Sequence, residues 1–221
     1  MKKSALPVIL VTILCCACMA LVDGVVRPPY GIKSAIKILL FLGLPLMLNL
    51  INKEIAFLEL FRFQKKGFAA ALGLGVGLYI LILGAYFAAS AFFDFSGIVD
   101  RLSQDAGVNK DNFLLVSLYI SFVNSLLEEF FFRGFVFTNL KQQIGRKFSY
   151  LFSAFAFSAY HVAMMLGWFS PVLFLLALTG LAAGGMIFNF LNEKAETIYC
   201  SWLVHMFANF AINTIGFLLM A

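Results

Sequence analysis

The sequence predicts an all-α fold: a polytopic transmembrane helical bundle with about seven spans, six and eight being the alternatives. The 221 residues are 62% hydrophobic and 12% charged, whereas soluble domains are about 45–50% apolar and about a quarter charged. Apolar stretches of about 20 residues, the length of a helix that crosses a bilayer, recur along the chain. No polar segment is long enough to fold outside the membrane, so residues 1–221 are predicted to form a single membrane domain.

The individual spans follow from the positions of these apolar stretches. The first stretch follows two lysines and has no small-residue cleavage site, which predicts an uncleaved span rather than a secretory leader. The second stretch is short, and the fourth is expected to continue as a short amphipathic element. The predicted spans are 6–26, 34–51, 68–93, 112–140, 149–168, 171–191 and 197–220.

The basic residues of the predicted loops indicate the orientation in the membrane. A cytoplasmic N-terminus puts ten of them on the inner side and five on the outer side, as the enrichment of lysine and arginine in cytoplasmic loops requires. The inner ones are Lys2, Lys3, Lys53, Arg62, Lys65, Lys66, Lys141, Arg146, Lys147 and Lys194, and the outer ones are Arg27, Lys33, Lys37, Arg101 and Lys110. We therefore predict an integral multi-pass membrane protein with a cytoplasmic N-terminus. A bacterial cell membrane is the expected setting.

Two further features of composition exclude other classes. The net charge of +5 is scattered over short loops and does not form the basic patch of a protein that binds nucleic acid. Gly73, Gly75 and Gly77 lie in a continuous apolar segment without a preceding strand, so they do not form a phosphate-binding loop. We expect them, and Gly180 with Gly184, to let neighbouring helices approach closely.

Polar side chains inside the predicted spans fall into three groups. Glu128 and Glu129 precede Arg133, Phe157 precedes His161 by four residues, and His205 precedes Asn209 by four residues; the chain has no other histidine. A charge at the centre of a membrane helix costs at least about 2.5 kcal/mol, so intramembrane ionisable residues are candidates for function.

Helical spacing assigns these residues to faces. Glu129 and Arg133, four residues apart, share a face and can form an ion pair. Glu128 is rotated by about 100° from Glu129, so it is expected to point elsewhere and to be free for another role.

The predicted depths of the three groups are similar. Along ideal helices from the nearest inner-loop charge, Glu128 lies about 20 Å deep and His161 about 21 Å. His205 and Asn209 lie about 13 and 20 Å deep. Side chains on three helices could therefore meet in one site.

Structural roles are also available to these side chains. An intramembrane histidine or asparagine can simply form a hydrogen bond with a neighbouring helix, and Glu129 with Arg133 can be a structural ion pair. Four other polar residues of the spans are expected to make helix contacts and nothing more: Asn124, Ser125, Asn189 and Asn213. A structural role explains Glu128 least well, because the adjacent Glu129 is already expected to pair with Arg133, the one nearby arginine.

The three motifs, in this order and on separate apolar segments within residues 110–221, resemble those of the CAAX-protease and bacteriocin-processing family, also called the Abi family, of intramembrane endopeptidases. The resemblance implies a helical bundle around a hydrophilic cavity and hydrolysis of a peptide bond. It implies that Glu128 activates water with the help of His161. His205 and Asn209 then correspond to the groups that stabilise the oxyanion, and Glu129 and Arg133 to supporting positions.

The resemblance implies a peptide or lipid-modified protein as substrate, with membrane lipid around it, and leaves the cofactor open. Glu128, His161 and His205 could form a zinc site with two histidines, one glutamate and an open water position. The sequence has no HExxH motif, however, and a metal-free mechanism uses the same residues. We expect no cofactor, with zinc as the alternative.

Two other classes of function stay open at this stage. The first is a non-catalytic membrane scaffold or a bacteriocin self-immunity protein that keeps the motifs for structure. The second is a transporter with a proton relay, although no internal repeat of the kind found in many transporters is evident.

Overall fold

The structure, a computed structural model, describes residues 5–53, 55, 58–95 and 97–220, and within these ranges it is helical without a strand. Seven of the described helices are long and apolar enough to cross a membrane, which confirms the predicted fold class. The helices are α1 (Ala5–Val26), α2 (Tyr30–Ile51), α3 (Phe68–Ser90), the short α4 (Gly97–Ala106), α5 (Phe113–Gln143), α6 (Arg146–Met165), α7 (Pro171–Ala195) and α8 (Ile198–Met220).

The connection between α1 and α2 is shorter than the sequence predicted. Arg27 ends α1 in the left-handed conformation, with φ of 48°, and Pro29 immediately precedes α2. Proline is favoured at the beginning of a helix because it lacks an N–H and has a fixed φ. Helix α2 contains both Lys33 and Lys37, and Lys37 already lay within the predicted span 34–51, so counting the two lysines as outer-loop residues was wrong.

Helix α5 contains two π-helical stretches, Ile120–Asn124 and Glu129–Phe137. Such i→i+5 turns are rare and often lie at functional sites. The stretches flank Glu128. The expected amphipathic continuation is the last part of the same helix, Thr138–Gln143.

The core lies where α1, α2, α5 and α6 meet, and it is rich in aromatic side chains. Phe41 of α2 stacks on Phe131 of α5 with ring centroids 4.2 Å apart, and it meets Tyr160 of α6 edge to face at 5.3 Å. Phe132 packs edge to face on Phe157 at 5.3 Å. These contacts hold α2, α5 and α6 together around the polar groups described below.

Close helix approach occurs at fewer glycines than expected. A Cβ at Gly75 would lie 2.7 Å from Cδ2 of Phe207 on α8, so α3 and α8 meet there. Gly73, Gly77, Gly180 and Gly184 face open space, so the expectation was wrong for these four. Helices α7 and α6 approach closely at Gly185, where a Cβ would lie 3.0 Å from Cα of Ala154. Which glycine is at a contact depends on helix rotation, which spacing alone does not give.

Candidate active site

The centre of α5 buries two carboxylates and one guanidinium group. Glu128 is 2% exposed, and Glu129 and Arg133 are fully buried. Nη1 of Arg133 lies 3.4 Å from Oε1 of Glu129, so the expected ion pair between these residues is confirmed. The pair places opposite charges together in a region where an uncompensated charge would be costly.

Aromatic rings surround the guanidinium group of Arg133. It lies 4.2 Å from the ring centroid of Phe157 and 4.9 Å from that of Phe188. A cation over an aromatic face is attracted by the ring quadrupole. Phe188 also stacks on the imidazole of His205 at 5.2 Å, so one phenylalanine of α7 contacts both Arg133 and His205.

His205 of α8 contacts both carboxylates of α5. Its Nδ1 lies 3.0 Å from Oε1 of Glu129, and its Nε2 lies 3.6 Å from Oε2 of Glu128. The expectation that Glu128 points away to a separate role was therefore incomplete. The imidazole has a nitrogen on either side of the ring, and each nitrogen meets a different carboxylate.

Oε1 of Glu128 has two hydrogen-bond donors that the sequence interpretation missed. Nδ2 of Asn124 donates to Oε1 of Glu128 at 3.0 Å, and Nζ of Lys37 donates to the same oxygen. Lys37 also donates to Oδ1 of Asn124 at 2.5 Å. The expectation that Asn124 makes only helix contacts was wrong.

Both missed residues carried a signal in the sequence. Asn124 lies four residues before Glu128, the spacing that puts two side chains on one helix face. Lys37 lies inside the predicted span 34–51, where a lysine should have been treated as an intramembrane charge in need of a partner.

His161 lies at an interruption of α6, between the segments Arg146–Tyr160 and Val162–Met165. Its Nδ1 is 2.7 Å from the carbonyl oxygen of Phe157. Because a carbonyl only accepts, Nδ1 carries the proton and the lone pair of a neutral ring is on Nε2. The imidazole also interacts electrostatically with Glu128.

Asn209 lies at the edge of this cluster. Its Nδ2 donates to the carbonyl oxygen of Ile120 at 3.3 Å, in the first π-helical stretch of α5. Within the part of the chain that the structure describes, it forms no hydrogen bond with Glu128, His161 or His205. One N–H of its amide is engaged by Ile120, and the other is left for a further acceptor.

Three other polar residues of the spans make helix contacts, as expected. Ser125 accepts a hydrogen bond from Nε1 of Trp202 at 3.0 Å. Asn189 donates to the carbonyl oxygen of Tyr150 at 3.2 Å, and Asn213 donates to that of Ser117 at 3.1 Å.

The donor set at Glu128 does not have the arrangement of a zinc site. Among the described residues, which include Glu128, His161 and His205, no three histidine, cysteine, aspartate or glutamate side chains are placed to share a metal ion. The ammonium group of Lys37 contacts Oε1 of Glu128 and would repel a divalent cation there. These residues therefore do not fit the two-histidine, one-glutamate site considered from the sequence.

The fold and the site define a polytopic membrane protein with a buried cluster of two carboxylates, two imidazoles, a lysine and an arginine. Residues 110–211 match the model of the type II CAAX prenyl endopeptidase Rce1-like family. The match confirms the resemblance that the three motifs indicated. Neither a curated protein nor a solved structure matches the chain. The matched segment runs from just before α5 into α8, and Lys37 lies outside it.

Proposed function

We propose that the protein is an intramembrane endopeptidase that hydrolyses a peptide bond of a membrane-associated peptide or lipid-modified protein, as CAAX-processing enzymes do. The family match over residues 110–211 supports a protease. The observation that carries the proposal furthest is the position of Glu128. Its carboxylate is buried, with Oε1 bound by Lys37 and Asn124 and Oε2 on the side of His205.

Peptide hydrolysis requires a base for water and donors for the negative charge that develops on the carbonyl oxygen. In the proposed reaction Glu128, assisted by His161, takes a proton from water as the oxygen attacks the carbonyl carbon. The second N–H of Asn209, and Nε2 of His205 when both ring nitrogens carry a proton, stabilise the oxyanion. The proton passes to the amide nitrogen as the carbon–nitrogen bond breaks, which leaves a carboxylic acid and an amine.

We propose that this reaction needs no metal. The contact between Lys37 and Glu128 supports this, because the ammonium group already supplies the positive charge next to the carboxylate. The test is to measure zinc in the purified protein and peptide cleavage after treatment with a chelator. Full activity without bound zinc is expected, whereas activity that disappears with the metal and returns when it is added back would contradict the proposal.

The proposed setting is a bacterial cell membrane, with a cytoplasmic N-terminus and lipid around the bundle. The structure moves Lys33 and Lys37 from an outer loop into α2. Of the five basic residues first counted outside, Arg27, Arg101 and Lys110 are left against ten inside, which favours this orientation more strongly. The scattered charges give no reason to propose a nucleic-acid partner.

One observation favours the alternative of a non-catalytic scaffold or bacteriocin self-immunity protein. Lys37 and Glu128 form a buried ion pair, and such a pair can exist for structure alone. Comparing the peptides of cells that carry the wild-type protein with those of cells that carry Glu128→Gln separates the two proposals. An endopeptidase predicts products that disappear in the variant while the protein level stays constant. Identical peptides with an intact phenotype would favour the scaffold.

A further inference from the structure

Lys37 is the least expected member of the polar cluster. It lies on α2, which precedes the family segment 110–211, and its side chain is 4% exposed. A lysine near the end of a membrane helix can extend to the lipid headgroups. Lys37 instead directs its ammonium group into the protein, which requires a compensating partner.

All described contacts of the Lys37 ammonium group are with the polar cluster or with two neighbouring aromatic rings. Nζ donates to Oε1 of Glu128 and to Oδ1 of Asn124. It also lies 4.8 Å from the ring centroid of Tyr160 and 5.4 Å from that of Phe41. The rings exclude water from one side of the charge, so the hydrogen bonds at Glu128 and Asn124 are made in a low-dielectric region and are strong.

Because of these contacts, the two carboxylate oxygens of Glu128 have different partners. Oε1 accepts from Lys37 and from Nδ2 of Asn124, at 3.0 Å for the amide. Among the described residues, Oε2 has only the longer approach of 3.6 Å from Nε2 of His205. A carboxylate has lone pairs on both oxygens. With Oε1 bound, Oε2 is the oxygen that can accept a hydrogen bond from a water molecule near His205.

We propose that Lys37 is a positioning residue: its ammonium group holds Oε1 of Glu128, fixes the carboxylate and leaves Oε2 to act on water. This rests on the endopeptidase function proposed above. The family match begins after α2, so the site includes a contribution from the N-terminal half of the chain. A correctly held base matters for rate, because small misplacements in an active site reduce turnover strongly.

The same helix provides a matched control. Lys33 lies four residues before Lys37 and pairs with Asp23 of α1, with Nζ and Oδ1 2.7 Å apart. Its pair is also largely buried, with side chains 13% and 1% exposed for Lys33 and Asp23. Lys33 contacts none of the catalytic side chains in the described structure. If Lys37 had only a structural role, replacing Lys37 and replacing Lys33 should affect cleavage equally.

The first part of the test measures cleavage of a farnesylated peptide with a CAAX end in liposomes. Lys37→Met is expected to lower kcat by about 100-fold, with KM nearly unchanged, because the base is present but misplaced. Lys37→Arg keeps the positive charge but has a different shape, so its kcat should lie between those of Lys37→Met and the wild type. Lys33→Met should keep the wild-type kcat. Wild-type kcat in Lys37→Met, or equal losses in both methionine variants, would overturn the positioning role.

The second part measures melting temperatures and needs no substrate. Lys37→Met and Glu128→Gln should each lower the melting temperature, and the double variant should melt higher than the sum of the two losses predicts, because each single change leaves a buried charge unpaired. Lys33→Met combined with Glu128→Gln should be additive. Coupling without any cleavage by the wild type would overturn the endopeptidase function and leave the ion pair standing. Additive losses for Lys37→Met and Glu128→Gln would overturn the proposal about Lys37 itself.

Discussion

Glu129 holds the imidazole of His205 through a contact of 3.0 Å between Oε1 and Nδ1. A carboxylate on one nitrogen of a histidine fixes the orientation of the ring and the nitrogen that carries the proton. Here it directs Nε2 of His205 towards Glu128. The same Oε1 pairs with Arg133. One oxygen of Glu129 therefore both orients His205 and compensates the buried charge of Arg133.

Glu129→Gln should therefore destabilise the protein. The change leaves the buried guanidinium group of Arg133 without a counter-charge, which typically costs about 3–5 kcal/mol. Chemical unfolding in detergent measures the loss. The double variant Glu129→Gln with Arg133→Met removes both charges and should recover part of it. A neutral effect of the single change would contradict the ion pair.

His161→Asn tests the roles of the two imidazole nitrogens of His161 separately. The asparagine amide can replace Nδ1 as donor to the carbonyl oxygen of Phe157 but has no counterpart of Nε2. We expect nearly wild-type stability and a kcat lower by about 100-fold or more, the usual contribution of a proton-transfer group. Cleavage of the farnesylated peptide and thermal melting measure the two effects. Wild-type turnover would remove His161 from the proposed reaction.

Asn209→Ala tests the proposed oxyanion donor. Loss of one such donor typically lowers kcat by about 100- to 1,000-fold. Asn213→Ala is the matched control on the same helix, since Asn213 bonds Ser117 and Ser121 and should affect stability but not turnover. If both variants keep the wild-type kcat, the bond from Asn209 to Ile120 is its whole role.

Gly75→Ala tests the packing of α3 on α8. The added methyl group would lie 2.7 Å from Phe207, and such overpacking costs about 1–3 kcal/mol. Gly77→Ala faces open space and should be neutral or slightly stabilising, because alanine favours a helix. Melting temperatures of the two variants make the comparison. Equal effects would contradict the contact.

The sequence predicted what depends on local pattern. Hydropathy gave seven spans near their observed bounds, and the four-residue spacing of Glu129 and Arg133 gave their ion pair. It did not predict what depends on helix rotation and distant pairing. Lys37 and Glu128 are 91 residues apart, and only the packing of α2 on α5 brings them together. The charge of Lys33 also hid the first turn of α2, residues 30–33, because a charge paired inside a bundle looks like a loop residue in a hydropathy pattern.

Turnover of the farnesylated CAAX peptide by Glu128→Gln in liposomes tests the central claim most directly. Glutamine keeps the shape of the side chain but cannot take a proton from water, so the account predicts loss of cleavage in a folded protein. Glu193→Gln is the control, because Glu193 lies at the end of α7 in a separate network with Lys141 and Arg146. It should cleave like the wild type. Wild-type cleavage by Glu128→Gln would contradict the account.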